Sequence, residues 1–153
     1  MANSRSLIMT GFLGLAIAAL NVAPGWAASV EEIFESSGLL GTFSVDCGKP
    51  VSPLQRYYVY RAIDDGHVQR DVMTGPTARL YFYVFDSAVV AAPNVIEASG
   101  TDSDGKPYKI KIQVDGERYK TIAAILDGQT LAANGRSANG DQASPWVTKC
   151  GSQ

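Results

Sequence analysis

From residue 39 onward, short segments rich in β-branched and aromatic residues alternate with turn-forming residues, and this pattern leaves few folds open. The connections contain Asp-Gly, Asn or Pro, and none suggests a crossover helix. We therefore predict an all-β, antiparallel meander of eight strands that closes into a barrel or folds into a sandwich. The segments cover residues 39–47, 55–63, 67–73, 78–90, 95–101, 107–114, 117–126 and 129–134, and residues 146–150 form a short last strand or an extended tail.

A short helix is predicted before the first strand, over residues 29–37. Ser29 can cap it, and Glu32, three residues later, completes the pattern of a capping box. Gly38 is a suitable stop because glycine adopts the left-handed conformation that ends many helices.

The first 27 residues have the layout of a secretory leader. Arg5 is the only charge before Glu31, and an apolar stretch follows Arg5. Cleavage after Ala27 fits the small residues that precede it. A retained membrane anchor is the alternative, but the apolar stretch is short for a span. We expect residues 1–27 to be a signal peptide and residues 28–153 to be one domain, periplasmic or secreted, with no transmembrane span in the mature chain.

The chain has two cysteines, Cys47 and Cys150. Two cysteines in an exported protein are expected to form a disulfide, and the alternative is a pair of free thiols. The bond would close a loop of about a hundred residues and tie the end of the first strand to the tail.

The charge and the motifs argue against several functional classes. Fifteen acidic residues against thirteen basic ones, one of which is Arg5, argue against a nucleic-acid partner. His67 is the only histidine, and it follows a turn. Motifs for nucleophilic catalysis, zinc proteases and phosphate loops are missing. We expect no enzyme activity, no catalytic residue, no metal site and no cofactor.

The sixth and seventh segments place apolar and aromatic side chains on one face of the sheet. If Asp115-Gly116 is a two-residue hairpin loop, Ile112 lies opposite Tyr119. Tyrosines on an inner face suit a pocket lining, and they suit an ordinary core equally well. The candidate ligand-binding residues on this face and on the second strand are Tyr58, Tyr60, Tyr108, Ile110, Ile112 and Tyr119.

The outer face of the same two segments is basic. The same register puts Lys111 opposite Lys120, an arrangement that is mildly unfavourable. This face is either solvated, with lysines that prevent edge pairing, or a contact for an anionic partner or lipid head group. The candidate partner-binding residues are Lys109, Lys111, Arg118 and Lys120.

The layout resembles lipocalin-like (calycin) barrels, and this resemblance implies an antiparallel eight-stranded barrel with a short N-terminal helix. The features that carry the resemblance are the helical lead-in, Gly41-Thr42-Phe43 on the first strand, the eight-strand meander and the tail disulfide. Phe43 stands where that family has Trp, and the resemblance implies that a basic residue, here Arg136, packs over it. The pattern Gly-x-Phe-x-x-Asp-Cys over residues 41–47 and Trp-x-x-Lys-Cys over residues 146–150 are also similar to small exported alphaproteobacterial proteins.

The leading functional expectation is a non-catalytic periplasmic binding protein that holds a small, mostly apolar ligand in the barrel. An eight-stranded barrel is wide enough to be filled by side chains or to hold one small ligand. The alternative is a protein-binding module that contacts another periplasmic protein, as an inhibitor of an exported enzyme or an envelope-assembly factor. Metalloprotease-inhibitor barrels share this architecture.

Overall fold

The structure, a computed structural model, describes residues 27–64 and 66–151. The expected signal peptide lies outside the described residues, except for Ala27. In these ranges, no helix has both the length and the apolar character needed to span a membrane. The elements are α1 (Val30–Ser36), β1 (Gly41–Ser44), β2 (Tyr57–Asp64), β3 (His67–Met73), β4 (Arg79–Ala92), β5 (Val95–Asp102), β6 (Pro107–Asp115), β7 (Arg118–Leu126), β8 (Gln129–Ala133), β9 (Arg136–Ser137) and β10 (Val147–Lys149).

Eight antiparallel strands form a closed barrel, which confirms the predicted fold class. Strands β1 to β7 pair in sequence order, and β10 pairs with both β1 and β7 to close the ring. Phe43 lies opposite Lys149 on one side of β10, and Tyr119 lies opposite Val147 on the other.

The closing strand is the tail and not the eighth segment of the meander. Strand β7 is long enough to serve two neighbours: its first residues pair with β10, and Ala124 to Leu126 pair with β8. Strand β8 then pairs with β9 and forms a hairpin that extends the sheet beyond the ring. The barrel therefore depends on a contact between the two ends of the domain.

Helix α1 forms as predicted and packs into the barrel core. The Ser29 side chain accepts a hydrogen bond from the Glu32 amide, and the Glu32 side chain accepts one from the Ser29 amide. Gly38, at a φ of 71°, follows the last turn. Phe34 is fully buried, and its ring centroid lies 5.7 Å from that of Tyr60 and 5.5 Å from that of Phe85. The capping residues thus position an aromatic anchor for the interior.

Phe43 occupies the core position that the lipocalin resemblance implies, but its basic neighbour is not Arg136. Arg136 is exposed on β9, where its Nε donates to the Gly140 carbonyl at 2.8 Å. Lys149 Nζ instead lies 5.9 Å from the Phe43 ring centroid and donates to the Gly38 carbonyl at 3.3 Å. The reason is the closure: β10 pairs directly with β1 and carries Lys149 to Phe43.

The predicted register of the β6–β7 hairpin is wrong by two residues. The loop is Gly116-Glu117, so Asp115 lies opposite Arg118, and Val114 lies opposite Tyr119. Gly116 has a φ of 60°, and the Arg118 guanidinium bonds to the Asp115 carboxylate at 2.6 Å. A shift of two residues keeps Ile112 and Tyr119 on the inner face and Lys111 and Lys120 on the outer face.

The same shift separates the two lysines that were expected to face each other. Lys111 lies opposite Ala123, and Lys120 lies opposite Gln113. The expected Lys111–Lys120 repulsion is therefore absent from this hairpin.

The disulfide between Cys47 and Cys150 is present, as predicted. The two Cα atoms are 5.4 Å apart, although 103 positions separate the residues in the chain. Cys150 follows β10 directly, and its amide donates to the Thr42 carbonyl at 2.8 Å. The bond thus fastens the closing strand to the segment that follows β1.

Candidate functional site

Strand β3 carries an arginine on the inner wall of the barrel. Residues alternate across the strand, and Val68 and Val72, both fully buried, share a face with Arg70. Arg70 lies opposite Tyr60 on β2 and Tyr83 on β4, which both belong to the core. Only 8% of Arg70 is exposed. A charged side chain therefore points into the interior.

The next residue, Asp71, is buried on the outer wall and is fully paired. Its carboxylate lies 3.2 Å from the Arg61 guanidinium and 3.1 Å from that of Arg79. Gln69 Nε2 also donates to it at 2.6 Å. This negative charge is therefore compensated on its own side of the sheet and does not serve Arg70.

Aromatic rings surround the guanidinium of Arg70. Its Cζ lies 4.8 Å from the ring centroid of Tyr58, 5.5 Å from that of Tyr83 and 5.7 Å from that of Tyr60. Ring faces attract a cation, so these contacts stabilise the charge in part.

The hydrogen-bonding capacity of Arg70 is largely unused. A guanidinium has five N–H donors. Among the described residues, the side chain makes one hydrogen bond, from Nη1 to the Tyr108 hydroxyl at 3.3 Å. In the same part of the chain, Nε is buried without a partner, and the side chain forms no ion pair. The site therefore holds a cation with free donors.

The surrounding tyrosines cannot supply the missing negative charge at physiological pH. Burial raises the pKa of Tyr108 to about 12, and it also raises the pKa of Tyr60, Tyr83 and Tyr119 above the ordinary value. Burial by itself would lower the pKa of Arg70, but an arginine guanidinium is not deprotonated in proteins at physiological pH, so Arg70 keeps its charge. The centre of the barrel is therefore positively charged.

Two tyrosine hydroxyls near Arg70 also lack partners. The hydroxyls of Tyr60 and Tyr119 are buried, and neither has a hydrogen-bond partner within residues 27–64 and 66–151. The two hydroxyls lie close enough to each other for a contact that shifts the pKa of both, although the contact falls short of full hydrogen-bonding geometry. Together with Arg70 Nε, they form a group of three unsatisfied polar atoms in one region of the core.

A partly open cavity of about 160 Å³ lies beside these groups. Such a volume is the share of about five water molecules in the liquid. Strands β2, β3 and β7 and the segment that leads into β10 supply the lining residues: Tyr58, Arg70, Tyr119, Thr121, Ser144, Pro145 and Val147.

Most of the ligand-binding residues predicted from the sequence cluster here. Tyr58 and Tyr119 line the cavity, while Tyr60 and Tyr108 contact the Arg70 guanidinium. Ile110 and Ile112 are buried in the core and do not line the cavity.

The sequence reasoning missed Arg70, although a signal for it exists. In the segment HVQRDVM, alternation places Arg70 between Val68 and Val72 on the apolar face. A charged residue on the apolar face of a predicted strand marks a position that needs a separate explanation.

The basic residues of the outer face do not form one uncompensated patch. Lys111 Nζ lies 2.9 Å from the Glu97 carboxylate, and Arg118 is paired with Asp115 at 2.6 Å. Trp146 lies beside the two on β7, with its ring centroid 4.8 Å from Arg118 Cζ and 4.9 Å from Lys120 Nζ. Lys109 is exposed.

A larger open groove, of about 990 Å³, runs along the outer wall beside the disulfide. Two of its polar side chains have internal partners: the Tyr57 hydroxyl donates to the Lys49 carbonyl at 2.7 Å, and Lys49 Nζ pairs with Asp46 at 3.2 Å. None of the unsatisfied buried side-chain atoms found in the described residues lines this groove. The interior cavity is therefore the stronger candidate site.

The single histidine lies at the surface, at the start of β3. His67 Nδ1 is 2.6 Å from the Asp64 carboxylate, and this hydrogen bond lowers the pKa of Asp64. Within the described part of the chain, no group of three or more His, Cys, Asp or Glu side chains is arranged to hold a metal ion.

The closed eight-stranded barrel is compatible with a lipocalin-like fold. Comparison of the chain with protein-family models, curated proteins and solved structures finds no match. The functional argument therefore rests on the interior site.

Proposed function

We propose that this is a non-catalytic binding protein of the periplasm or the extracellular space, which holds a small ligand inside its barrel. The observation that carries the proposal is the cavity beside Arg70, where three buried polar atoms without partners lie together. Its ligand presents apolar or aromatic surface to the tyrosine rings and polar atoms to the free donors.

The energetic argument concerns the unsatisfied groups. A buried donor or acceptor without a partner costs about 1–3 kcal/mol, and more when the group is charged. Folded proteins rarely leave such groups clustered around a single cavity. A bound molecule that supplies the missing partners would recover this free energy, and the recovered free energy would appear as binding affinity.

The size of the cavity limits the ligand. Pockets that enclose a drug-sized molecule are about 300–1,000 Å³. At about 160 Å³, this cavity suits a small molecule, or one end of a longer molecule that leaves through the open side. Ile110 and Ile112 are buried in the core and do not line the cavity, so the proposed ligand lies beside Arg70.

Mass spectrometry of the protein purified from its own periplasm tests the proposal. We expect the native spectrum to show a small adduct that disappears on denaturation. The variant Thr121→Phe places a ring in the cavity and should lose the adduct, whereas Thr148→Phe on the exposed side of β10 should keep it. A wild-type protein without any small adduct, or equal retention by both variants, would contradict the proposal.

A further inference from the structure

We infer that the ligand of the interior site carries a carboxylate, which pairs with Arg70; this inference rests on the proposed binding function. The ligand is accordingly a small monocarboxylate with an apolar or aromatic body, or the carboxylate end of a longer amphiphile.

The first step is the missing counter-charge. Arg70 is nine-tenths buried, and no carboxylate pairs with it among the described residues. Buried charges in proteins are paired as a rule, because an isolated charge in a low dielectric is very unfavourable. Asp71, one residue away, shows the usual solution on the outer wall, with two arginines against one carboxylate. The inner wall has the cation without the anion.

The second step is the geometry of the donors. Tyrosine rings stabilise a guanidinium through their faces, but they leave its N–H groups without strong acceptors. Arg70 uses one donor for the Tyr108 hydroxyl, and its Nε remains free. A carboxylate has two oxygens that match the fork of a guanidinium and accept from it in a bidentate manner. The unpartnered hydroxyl of Tyr119, which also lines the cavity, can donate to the same group.

The third step separates a carboxylate from a phosphate monoester. Of the described residues that line the cavity, Arg70 alone is charged, so the site compensates a single negative charge. A phosphate monoester carries nearly two charges at neutral pH and would remain partly uncompensated. The cavity also offers Tyr58, Pro145 and Val147 as apolar walls, which suit the hydrocarbon or aromatic body of an organic acid.

Calorimetric titration with matched acids and alcohols tests the inference on the full protein. The probes are benzoate and dodecanoate, and their neutral counterparts are benzyl alcohol and dodecanol. We expect each carboxylate to bind about thirtyfold more tightly than its matched alcohol, because the alcohol leaves the buried charge of Arg70 without its partner. Binding of benzoate indicates a free small acid, and binding of dodecanoate alone indicates the carboxylate end of an amphiphile.

Three variants test whether the effect depends on Arg70. Arg70→Met should lose the preference for the acid, whereas Arg61→Met removes the same charge from the outer wall and should keep it. Circular dichroism monitors the fold of each variant. Arg70→Lys keeps the charge without the fork, and should retain the preference for the acid at reduced affinity. If Arg70→Met does not fold, the affinities of the acids and alcohols for the wild type and for Arg70→Lys still test whether the site prefers a carboxylate.

Failure of this inference can be told apart from failure of the proposed function. A neutral molecule in the native mass spectrum, or alcohols that bind as tightly as the acids, would contradict the inference that the ligand carries a carboxylate. Either result would leave the proposed ligand-binding function standing. An Arg70→Met variant that is folded and keeps the preference for the acid would do the same. A protein that carries no small molecule and binds none of the four probes would overturn both.

Discussion

Two neighbouring residues of β3 show how the two sides of one barrel wall treat a buried charge. Asp71 lies on the outer wall, where arginines from adjacent strands can turn toward it while keeping contact with water. Arg70 lies on the inner wall, where the neighbours are tyrosines and valines. The first charge is satisfied within the chain, and the second has no counter-charge among the described residues. This difference is the basis for our proposal that Arg70 contacts the ligand.

A substitution at a second single residue, Phe43, would test how tightly the core is packed. It is 1% exposed, and its ring meets Tyr60 and Tyr119 edge to face at centroid distances of 6.0 and 5.0 Å. Phe43→Ala should lower the free energy of unfolding by about 3–5 kcal/mol, because it removes buried surface and leaves a cavity. Urea denaturation measures the change. Leu54→Ala, at a residue that is 99% exposed, is the matched control and should stay within about 0.5 kcal/mol. A loss below about 1 kcal/mol for Phe43→Ala would contradict its role in the core.

Among the elements, the β4–β5 hairpin shows how a bulge and a glycine allow a strand to bend. The register shifts between Phe85 and Ser87 on β4, and Phe85 lies opposite Gly100 on β5. A Cβ added at Gly100 would lie 1.8 Å from the Val84 carbonyl oxygen. The absence of a side chain at this position therefore permits the close approach of the two backbones.

We expect Gly100→Ala to destabilise the protein by about 3 kcal/mol or more, because backbone atoms must move to admit the methyl group. Gly116→Ala is the control within the β6–β7 hairpin. Gly116 has a φ of 60° with nothing within 4 Å of an added Cβ, so its cost is the backbone strain alone. That strain is about 1–2 kcal/mol. Thermal and urea denaturation compare the two variants, and equal losses would show that the close approach at Gly100 is not a constraint.

At the scale of the whole molecule, the barrel is closed by three residues of β10 between β1 and β7, and the disulfide holds them there. Cys47→Ser/Cys150→Ser should lower the free energy of unfolding by about 2–5 kcal/mol. Hydrogen exchange should rise first at the amides of Lys149 and Cys150, which donate to the Glu117 and Thr42 carbonyls. The amides of β5, a strand that does not pair with β10, are the internal control. Unchanged exchange in β10 would show that pairing alone maintains the closure.

The four tyrosines with raised pKa values predict a loss of stability at high pH. Burial favours their neutral form, so the folded protein holds these protons more tightly than the unfolded chain does. Their contribution is fully present below the pKa of about 10 in the unfolded chain, and it is lost as the pH rises through the folded pKa values, about 12 for Tyr108. Urea denaturation at several pH values above about 9 measures the decline.

The ultraviolet absorbance of tyrosinate provides an independent test of the same effect. Tyr60, Tyr83, Tyr108 and Tyr119 should ionise above the ordinary tyrosine range while the protein stays folded, or together with unfolding. Ionisation of all seven tyrosines of the chain near pH 10, in a protein that circular dichroism shows to be folded, would argue that the interior is open to water.

Much of the local structure follows from the sequence alone, because its determinants lie within a few residues of one another. The capping box at Ser29 and Glu32, the alternation along β6 and the turn residues between strands specify the helix, the faces and the hairpins. Alternation also brings Tyr58 and Tyr119 to the inner wall, so two residues of the cavity lining were predictable. The expected export signal and the count of two cysteines were sufficient to predict the disulfide.

Tertiary structure alone decided which strand closes the ring, the register of the β6–β7 hairpin and the isolation of Arg70. Strand pairing between residues far apart in the chain leaves no local pattern, so residues 129–134 and 147–149 were equally able to close the barrel. A slip of two residues preserves alternation, so the sequence cannot distinguish the registers. Alternation along β3 predicts that Arg70 points inward. Whether a carboxylate lies beside it depends on which side chains the neighbouring strands place there, and only the closed barrel shows these neighbours.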